Sequence, residues 1–233
     1  MVTLKIYHII LSVVLAGFVN VTLAATLVEQ AGNPHNPPSK MWIQGTKMYM
    51  QMDRGGQYML MDLGKKKMYV VIAKDKVVLD SSDMFMKKRT ATNDLKVNVK
   101  HMGAGPRLAG YATQKYALSV NGQQCEQVLI SKKAMKDSGM QQMMEAMASM
   151  NMNPMAVNQA SNCERAEGLF ASRMKKLGIP LGTIKKGQLK QDITRIVTDA
   201  TPPAGAFTLP KGYRVINMQQ YMMQMMQKQR PSR

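Results

Sequence analysis

The chain of 233 residues contains 32 Lys and Arg against 14 Asp and Glu, which gives a net charge of +18. Its two Cys and three His cannot build a Cys-rich zinc or iron–sulfur site, and 45% hydrophobic residues favour one sizeable core over disorder. The unusual figure is 25 Met, about one residue in nine. No reaction follows from these counts.

The first residues have the pattern of a secretory signal peptide. A short basic start with Lys5 precedes a mainly apolar run over residues 6–21, and the small residues Thr22 and Ala24 follow. An uncleaved anchor helix is the alternative, because the run is close to the length that spans a bilayer. The small-residue site favours removal of residues 1–24, and we therefore expect a soluble periplasmic protein.

The mature chain is expected to start irregularly and to continue in short strands. Residues 25–39 are assigned to an irregular N-terminal segment, because prolines and polar residues dominate its second half. From residue 40 the apolar period becomes two, and turn signals separate the apolar runs as far as residue 79. The alternating residues on two of these runs are Met48, Met50 and Met52, then Met59 and Met61. This pattern predicts a meander of antiparallel strands.

A hairpin follows at Asn121-Gly122. Residues 111–120 and 123–130 form its arms, and Cys125 lies on the second arm. Because an exported chain meets an oxidising compartment, we expect Cys125 to form a disulfide with Cys163, which would stabilise the fold by about 4 kcal/mol. Two free thiols, serving a soft metal together, are the alternative.

Between the two cysteines the apolar period changes to 3.6. One predicted helix carries a stripe at i, i+3, i+4 and i+7, formed by Met140, Met143, Met144 and Met147. A second helix is predicted over residues 162–177, so that a helical insertion occupies about 135–177. Strands are expected again over 181–185, 189–198 and 213–216, and a Met-rich helix or tail over 217–233.

Several short motifs resemble an uncharacterised exported bacterial family related to the lipoprotein carriers LolA and LolB. They are residues 40–48 (KMWIQGTKM), 58–69 (YMLMDLGKKKMY), 178–181 (GIPL), 193–196 (ITRI) and 207–213 (FTLPKGY). The resemblance covers residues 40–216 as one domain. It implies an α+β, mainly β fold: a strongly curved antiparallel half-barrel sheet with helices covering the concave face. It also implies a ligand in the concavity, since the carriers hold acyl chains there.

The methionines have three interpretations. Packing is the simplest, because Met fills irregular gaps in cores. In the second, they line a groove for a hydrophobic or amphiphilic ligand, since unbranched thioethers re-pack around varied shapes. The candidate groove and lid residues are Met48, Met50, Met52, Met59, Met61, Met140, Met143, Met144 and Met147.

In the third interpretation, clustered thioethers bind Cu(I) or Ag(I), for which sulfur ligands are selective. The candidate ligands are Met143, Met144, Met147, Met222, Met225 and Met226. A large positive charge repels cations at long range, which favours the lipid-like ligand. Sacrificial oxidation of exposed Met is a further possibility.

The partners follow from charge and compartment. The basic runs at 65–67, 87–89, 175–176 and 185–186 are candidate contacts for anionic head groups of a membrane surface. Export and only 6% aromatic residues argue against nucleic acid. His35 and His101 have no nucleophile or carboxylate motif beside them, so we expect no catalysis and no cofactor. The sequence therefore predicts a monomeric, periplasmic, non-enzymatic binding protein, with a Met-based metal binder as the alternative.

Overall fold

A computed structural model describes residues 24–32, 38–52, 56–85, 95–149, 161–218, 220–221 and 223–224. Besides helical residues at 218, 220–221 and 223–224, thirteen strands and four α-helices lie wholly within these ranges. They are β1 (Ala25–Gln30), β2 (Ser39–Gln44), β3 (Lys47–Met52), β4 (Gln57–Asp62), β5 (Lys67–Ile72), β6 (Val77–Asp80), β7 (Val97–Leu108), β8 (Tyr111–Val120), β9 (Gln123–Ser131), α1 (Lys132–Ser138), α2 (Met140–Ser149), α3 (Asn162–Arg165), α4 (Glu167–Met174), β10 (Ile179–Lys185), β11 (Gln188–Gln191), β12 (Ile193–Ala200) and β13 (Arg214–Asn217).

The described strands form two sheets. The larger has the order β12-β1-β2-β3-β4-β5-β6-β13, and the smaller has the order β11-β10-β9-β8-β7. All pairs are antiparallel except β13 with β6. The fold is therefore mainly β, as predicted. It differs from the single sheet that the resemblance implies, because the strands divide between two sheets.

The predicted turns contain residues with a positive φ. Asn121 and Gly122 have φ of 50° and 83°, which is the two-residue hairpin turn expected from this dipeptide. Lys66 and Lys76 have φ of 52° and 50° in the turns after β4 and β5. The meander β2–β6 and the hairpin β8–β9 are thus confirmed.

Two strand assignments need correction. Residues 25–30, expected to be irregular, form β1 between β2 and β12, where Ala25 and Val28 are buried. The strand predicted over 189–198 is two strands in different sheets. The chain bends at Asp192, whose amide donates to Leu181 O and whose carbonyl accepts from Ala31 N, both at 2.9 Å. One residue therefore connects the two sheets.

The connection from β12 to β13 runs between the two edges of the larger sheet. Its residues 201–213 contain three prolines, which suit an extended path without ladder bonds. Tyr213, at its end, packs with Leu60, Val71 and Val78, so the segment arrives on the face that these side chains occupy. The crossing explains why β13 joins β6 in parallel.

The helices pack on both sheets. Ser131 caps α1, since its hydroxyl accepts from Ala134 N at 3.2 Å, and Gly139 ends it with a φ of 67°. The main core contains side chains of α1, α2 and both sheets. The helix predicted over 162–177 is interrupted at Ala166 and forms α3 and α4, which pack on the other side of the smaller sheet.

The disulfide is confirmed. Cys125 of β9 and Cys163 of α3 are bonded, with Cα atoms 5.6 Å apart, so the bond holds the α3–α4 unit against the smaller sheet. No helix within the described residues has the length and apolar content needed to cross a bilayer. The predicted signal peptide falls on residues 1–24, of which all but Ala24 lie outside the described residues.

Candidate functional site: the methionine face

Methionines from four neighbouring strands lie on one face of the larger sheet. Across β3–β5, Met61 pairs with Met48 on one side and with Met68 on the other. A second row, formed by Met41, Met50 and Met59, lies two residues along these strands, so its side chains point to the same face. We call this surface the methionine face: Met41, Met48, Met50, Met59, Met61 and Met68.

The helices bring further methionines to this face. Met135 of α1 and Met140 and Met143 of α2 belong to the same hydrophobic cluster as the paired Met48 and Met61. The side chain of Met143 is among the most deeply buried, with 1% exposed. Of the methionines predicted to act together, Met48, Met61, Met140 and Met143 share this cluster, and Met50 and Met59 pack against it.

In the second row Met41 is 2% exposed, whereas the methionines paired beyond it are less covered. Met50 and Met59 pair directly across β3 and β4, and both are half-buried. Met52, two residues along β3, and Val70, the cross-strand neighbour of Met59, are half-buried as well. We call Met50, Met52, Met59 and Val70 the open strip. Its apolar side chains are accessible to a ligand without unfolding the core.

The predicted groove and lid residues therefore divide by burial. Fully buried are Met48, Met61, Met140 and Met143; half-buried are Met50, Met52, Met59 and Met144. Met147 lies in α2, but its side chain is outside the described part, as are Met222, Met225 and Met226. Within the described part, no three His, Cys, Asp or Glu side chains gather as a metal site.

The opposite face of the same strands carries aromatic rings. The ring centroids of Trp42 and Tyr49 are 5.5 Å apart, and those of Tyr49 and Tyr58 are 5.2 Å apart. Burial raises the pKa of Tyr49, and burial together with the neighbouring Tyr213 and Tyr49 raises the pKa of Tyr58. We call Trp42, Tyr49, Tyr58 and Tyr69 the aromatic face.

An open cleft of about 650 Å³ lies where the turn after β4 meets β6 and β13; we call it the lysine cleft. It is lined by Lys65, Lys66, Lys67, Asp80, Ser82, Asp83, Asn217 and Met218. Lys67 Nζ lies 3.6 Å from Asp80 Oδ2, and Ser82 N donates to Asp80 Oδ1 at 2.9 Å. Burial raises the pKa of Asp80, but the hydrogen bonds of Ser82 and the charge of Lys67 outweigh it and lower the pKa overall.

A buried hydroxyl without a partner lies beside this cleft. Ser81 is 2% exposed, and its amide donates to Met68 O at 2.9 Å. Within the described residues, its Oγ has no hydrogen-bond partner. Such an unpaired buried group costs about 1–3 kcal/mol. Sequence analysis predicted the lysines at 65–67 as contacts for anionic head groups, but it missed Ser81 and the cleft, which depend on β13 returning beside β6.

Comparisons with known proteins add distant similarities in structure. No protein-family model and no curated protein sequence matches the chain. Two structures of PNGF-II, in space groups P21 and C2, match 86% and 88% of this chain with 11% and 12% identity and a TM-score of 0.41. A crystal structure of MucB matches 84% of this chain with 12% identity and a TM-score of 0.37. The chain spans about a third of PNGF-II (32% and 33%) and 60% of MucB.

Proposed function

We propose that this protein is a periplasmic, non-enzymatic binding protein that holds a hydrophobic or amphiphilic ligand on the methionine face. The supporting observation is the open strip. Its methionines are continuous with a buried methionine core, yet they remain half-buried at the surface. A ligand that covers these apolar side chains removes them from water, which makes the free energy of binding more favourable.

The chemistry of methionine suits a ligand of variable shape. Thioether side chains are unbranched and polarisable, so a surface built from them re-packs around different chains at low cost. Cross-strand neighbours lie about 5 Å apart, which makes Met50 and Met59 one continuous contact surface. A surface of this kind is selective for apolar character more than for a particular shape.

The proposal includes the finer points of the carrier resemblance. The larger sheet would be the strongly curved half-barrel of the LolA and LolB carriers, with the methionine face on its concave side and α1 and α2 covering it. The signal peptide pattern and the Cys125–Cys163 bond support export to the periplasm. The net charge of +18 supports attraction to an anionic membrane surface.

Native mass spectrometry of the protein purified from the periplasm tests the proposal. We expect a co-purifying lipid on the wild-type chain and about tenfold less on the Met50→Gln/Met59→Gln variant, because Gln keeps the length of Met and removes its apolar end. The matched control is Met102→Gln/Leu189→Gln. It changes two side chains that are 45% and 50% exposed on the smaller sheet, and it should retain the lipid.

The same spectra distinguish the metal alternative. Stoichiometric copper under reducing conditions, lost in Met143→Leu/Met144→Leu/Met147→Leu, would assign the cluster to Cu(I), because Leu keeps the apolar volume and removes the sulfur. A bare mass with no uptake of added lipid or copper would contradict both functions.

A further inference from the structure

The lysine cleft has an excess of positive charge that the fold does not neutralise. Lys67 is paired with Asp80, whereas Lys65 and Lys66 make no ion pair with any described residue. Asp83 is the other carboxylate in the lining. Three lysines against two carboxylates leave the lining with one positive charge in excess, which attracts an anion. The carboxylate of Asp62, outside the lining, accepts from Lys65 N at 3.1 Å.

Polar groups of the cleft are fixed by the backbone beside the methionine face. Ser82 Oγ accepts from Met68 N at 3.1 Å, which joins the lining to the end of the first methionine row. Ser81, between the lining residues Asp80 and Ser82, keeps its buried hydroxyl unpaired. Ser81 itself does not line the cleft, so the polar lining consists of the lysines, Asp80, Ser82, Asp83 and Asn217.

An apolar path leads from the cleft to the open strip. Met218 lines the cleft and is 36% exposed. Ile216, two residues earlier, shares a hydrophobic cluster with Val70, and Val70 pairs across the sheet with Met59. From Val70 to Met50 the path crosses two strand spacings, about 10 Å. Apolar side chains therefore continue from the cleft through Ile216, which is only 8% exposed, to the open strip.

We infer that the lysine cleft binds the anionic head group, a carboxylate or phosphate, of the amphiphile whose chain lies on the methionine face. This inference rests on the proposed function and gives the ligand its class: an anionic amphiphile with one polar end. Lys65 and Lys66 supply the charge, and the open strip supplies the apolar contact. An uncharged amphiphile of equal length uses the strip alone.

Calorimetric titration at pH 8 with decanoate, decyl phosphate and decan-1-ol tests the inference. In Lys65→Gln/Lys66→Gln we expect about tenfold weaker binding of the two anions and unchanged binding of the alcohol. The matched control is Lys74→Gln/Lys76→Gln, an exposed pair in the next turn that does not line the cleft. Lys76 shares the positive φ of Lys66, so the two variants place similar strain on the backbone.

Each outcome has a distinct meaning. Equal losses for anions and alcohol, or equal effects of the two lysine pairs, would overturn the head-group site and leave the proposed function intact. Binding of inorganic phosphate or acetate with the affinity of the decyl ligands would assign the cleft to free anions and also overturn it. No binding of any decyl ligand by the wild-type chain would contradict the proposed function itself.

Discussion

The two faces of strands β2–β5 are built from alternate residues of the same segments, yet they are packed differently. The aromatic face joins Trp42, Tyr49 and Tyr58 in contacts of 5.5 and 5.2 Å, and the segment 201–213 reaches it through Tyr213. The methionine face has unbranched side chains, and its Met50 and Met59 are half-buried, as are Tyr49 and Tyr58 on the aromatic face. One backbone thus supports a face packed by aromatic rings and a face packed by thioethers.

The difference follows from the side chains. Aromatic rings have few rotatable bonds and interact in specific geometries, so their packing resists change. Thioethers rotate about three bonds and fill irregular space, so their packing adapts. Evidence that both faces respond equally to the same change would remove the basis for assigning ligand binding to one of them.

The largest expected effect compares adjacent buried residues on opposite faces. Leu60 and Met61 are 6% and 5% exposed. We expect Leu60→Ala to lower the free energy of unfolding by about 3 kcal/mol and Met61→Ala by about 2 kcal/mol, because neighbouring thioethers relax into the smaller cavity. Urea unfolding followed by the fluorescence of Trp42, the single tryptophan, measures both.

The volume-conserving changes Leu60→Met and Met61→Leu serve as controls and should each cost less than about 1.5 kcal/mol. A larger loss for Met61→Ala than for Leu60→Ala would show that the methionine face is the more rigidly packed one.

A smaller change in stability is expected for Ser81, whose amide is bonded to Met68 at the end of the first methionine row. Ser81→Ala removes the unpaired buried hydroxyl and should stabilise the free protein by about 1 kcal/mol. Ser131, equally buried at 2% exposed, caps α1, so Ser131→Ala should destabilise by about 1 kcal/mol. Thermal unfolding of the two variants should therefore shift in opposite directions, and a loss of stability in Ser81→Ala would mean that its hydroxyl is satisfied.

The smallest effect concerns pH and the aromatic face. Because burial raises the pKa of Tyr49 and Tyr58 in the folded state, their contribution to stability is complete below about pH 10 and is lost as the pH rises through the folded pKa. Above that pH, the free energy of unfolding of Tyr49→Phe/Tyr58→Phe should fall less steeply with pH than that of the wild type. The variant should bind decanoate as the wild type does. Weaker decanoate binding by this variant would place the ligand on the aromatic face and contradict binding on the methionine face.

Local patterns were sufficient to predict most strands and which of their side chains share a face. The period of two in residues 48–61 placed the methionines on a common face, and the pairing of Met48 with Met61 and of Met50 with Met59 confirms it. The Asn121-Gly122 turn and the Cys125–Cys163 bond were also predictable, because turn chemistry and compartment decide them.

Features that depend on distant partners could not be predicted. Residues 25–30 lack a clear period and become β1 through pairing with β2 and β12. The exchange of sheets at Asp192 depends on hydrogen bonds to Ala31 and Leu181. The lysine cleft requires β13 beside β6, and no local pattern indicates that parallel pair.

The most direct test of ligand binding on the methionine face is a methyl NMR spectrum of the protein labelled with 13C at the methionine methyl groups. Single Met→Leu variants assign the resonances. On addition of decanoate, we expect the methyl signals of Met50, Met52 and Met59 to shift and that of Met102 on the smaller sheet to stay in place. Shifts confined to Met102 and other exposed methionines, or no shifts at saturating decanoate, would contradict the account.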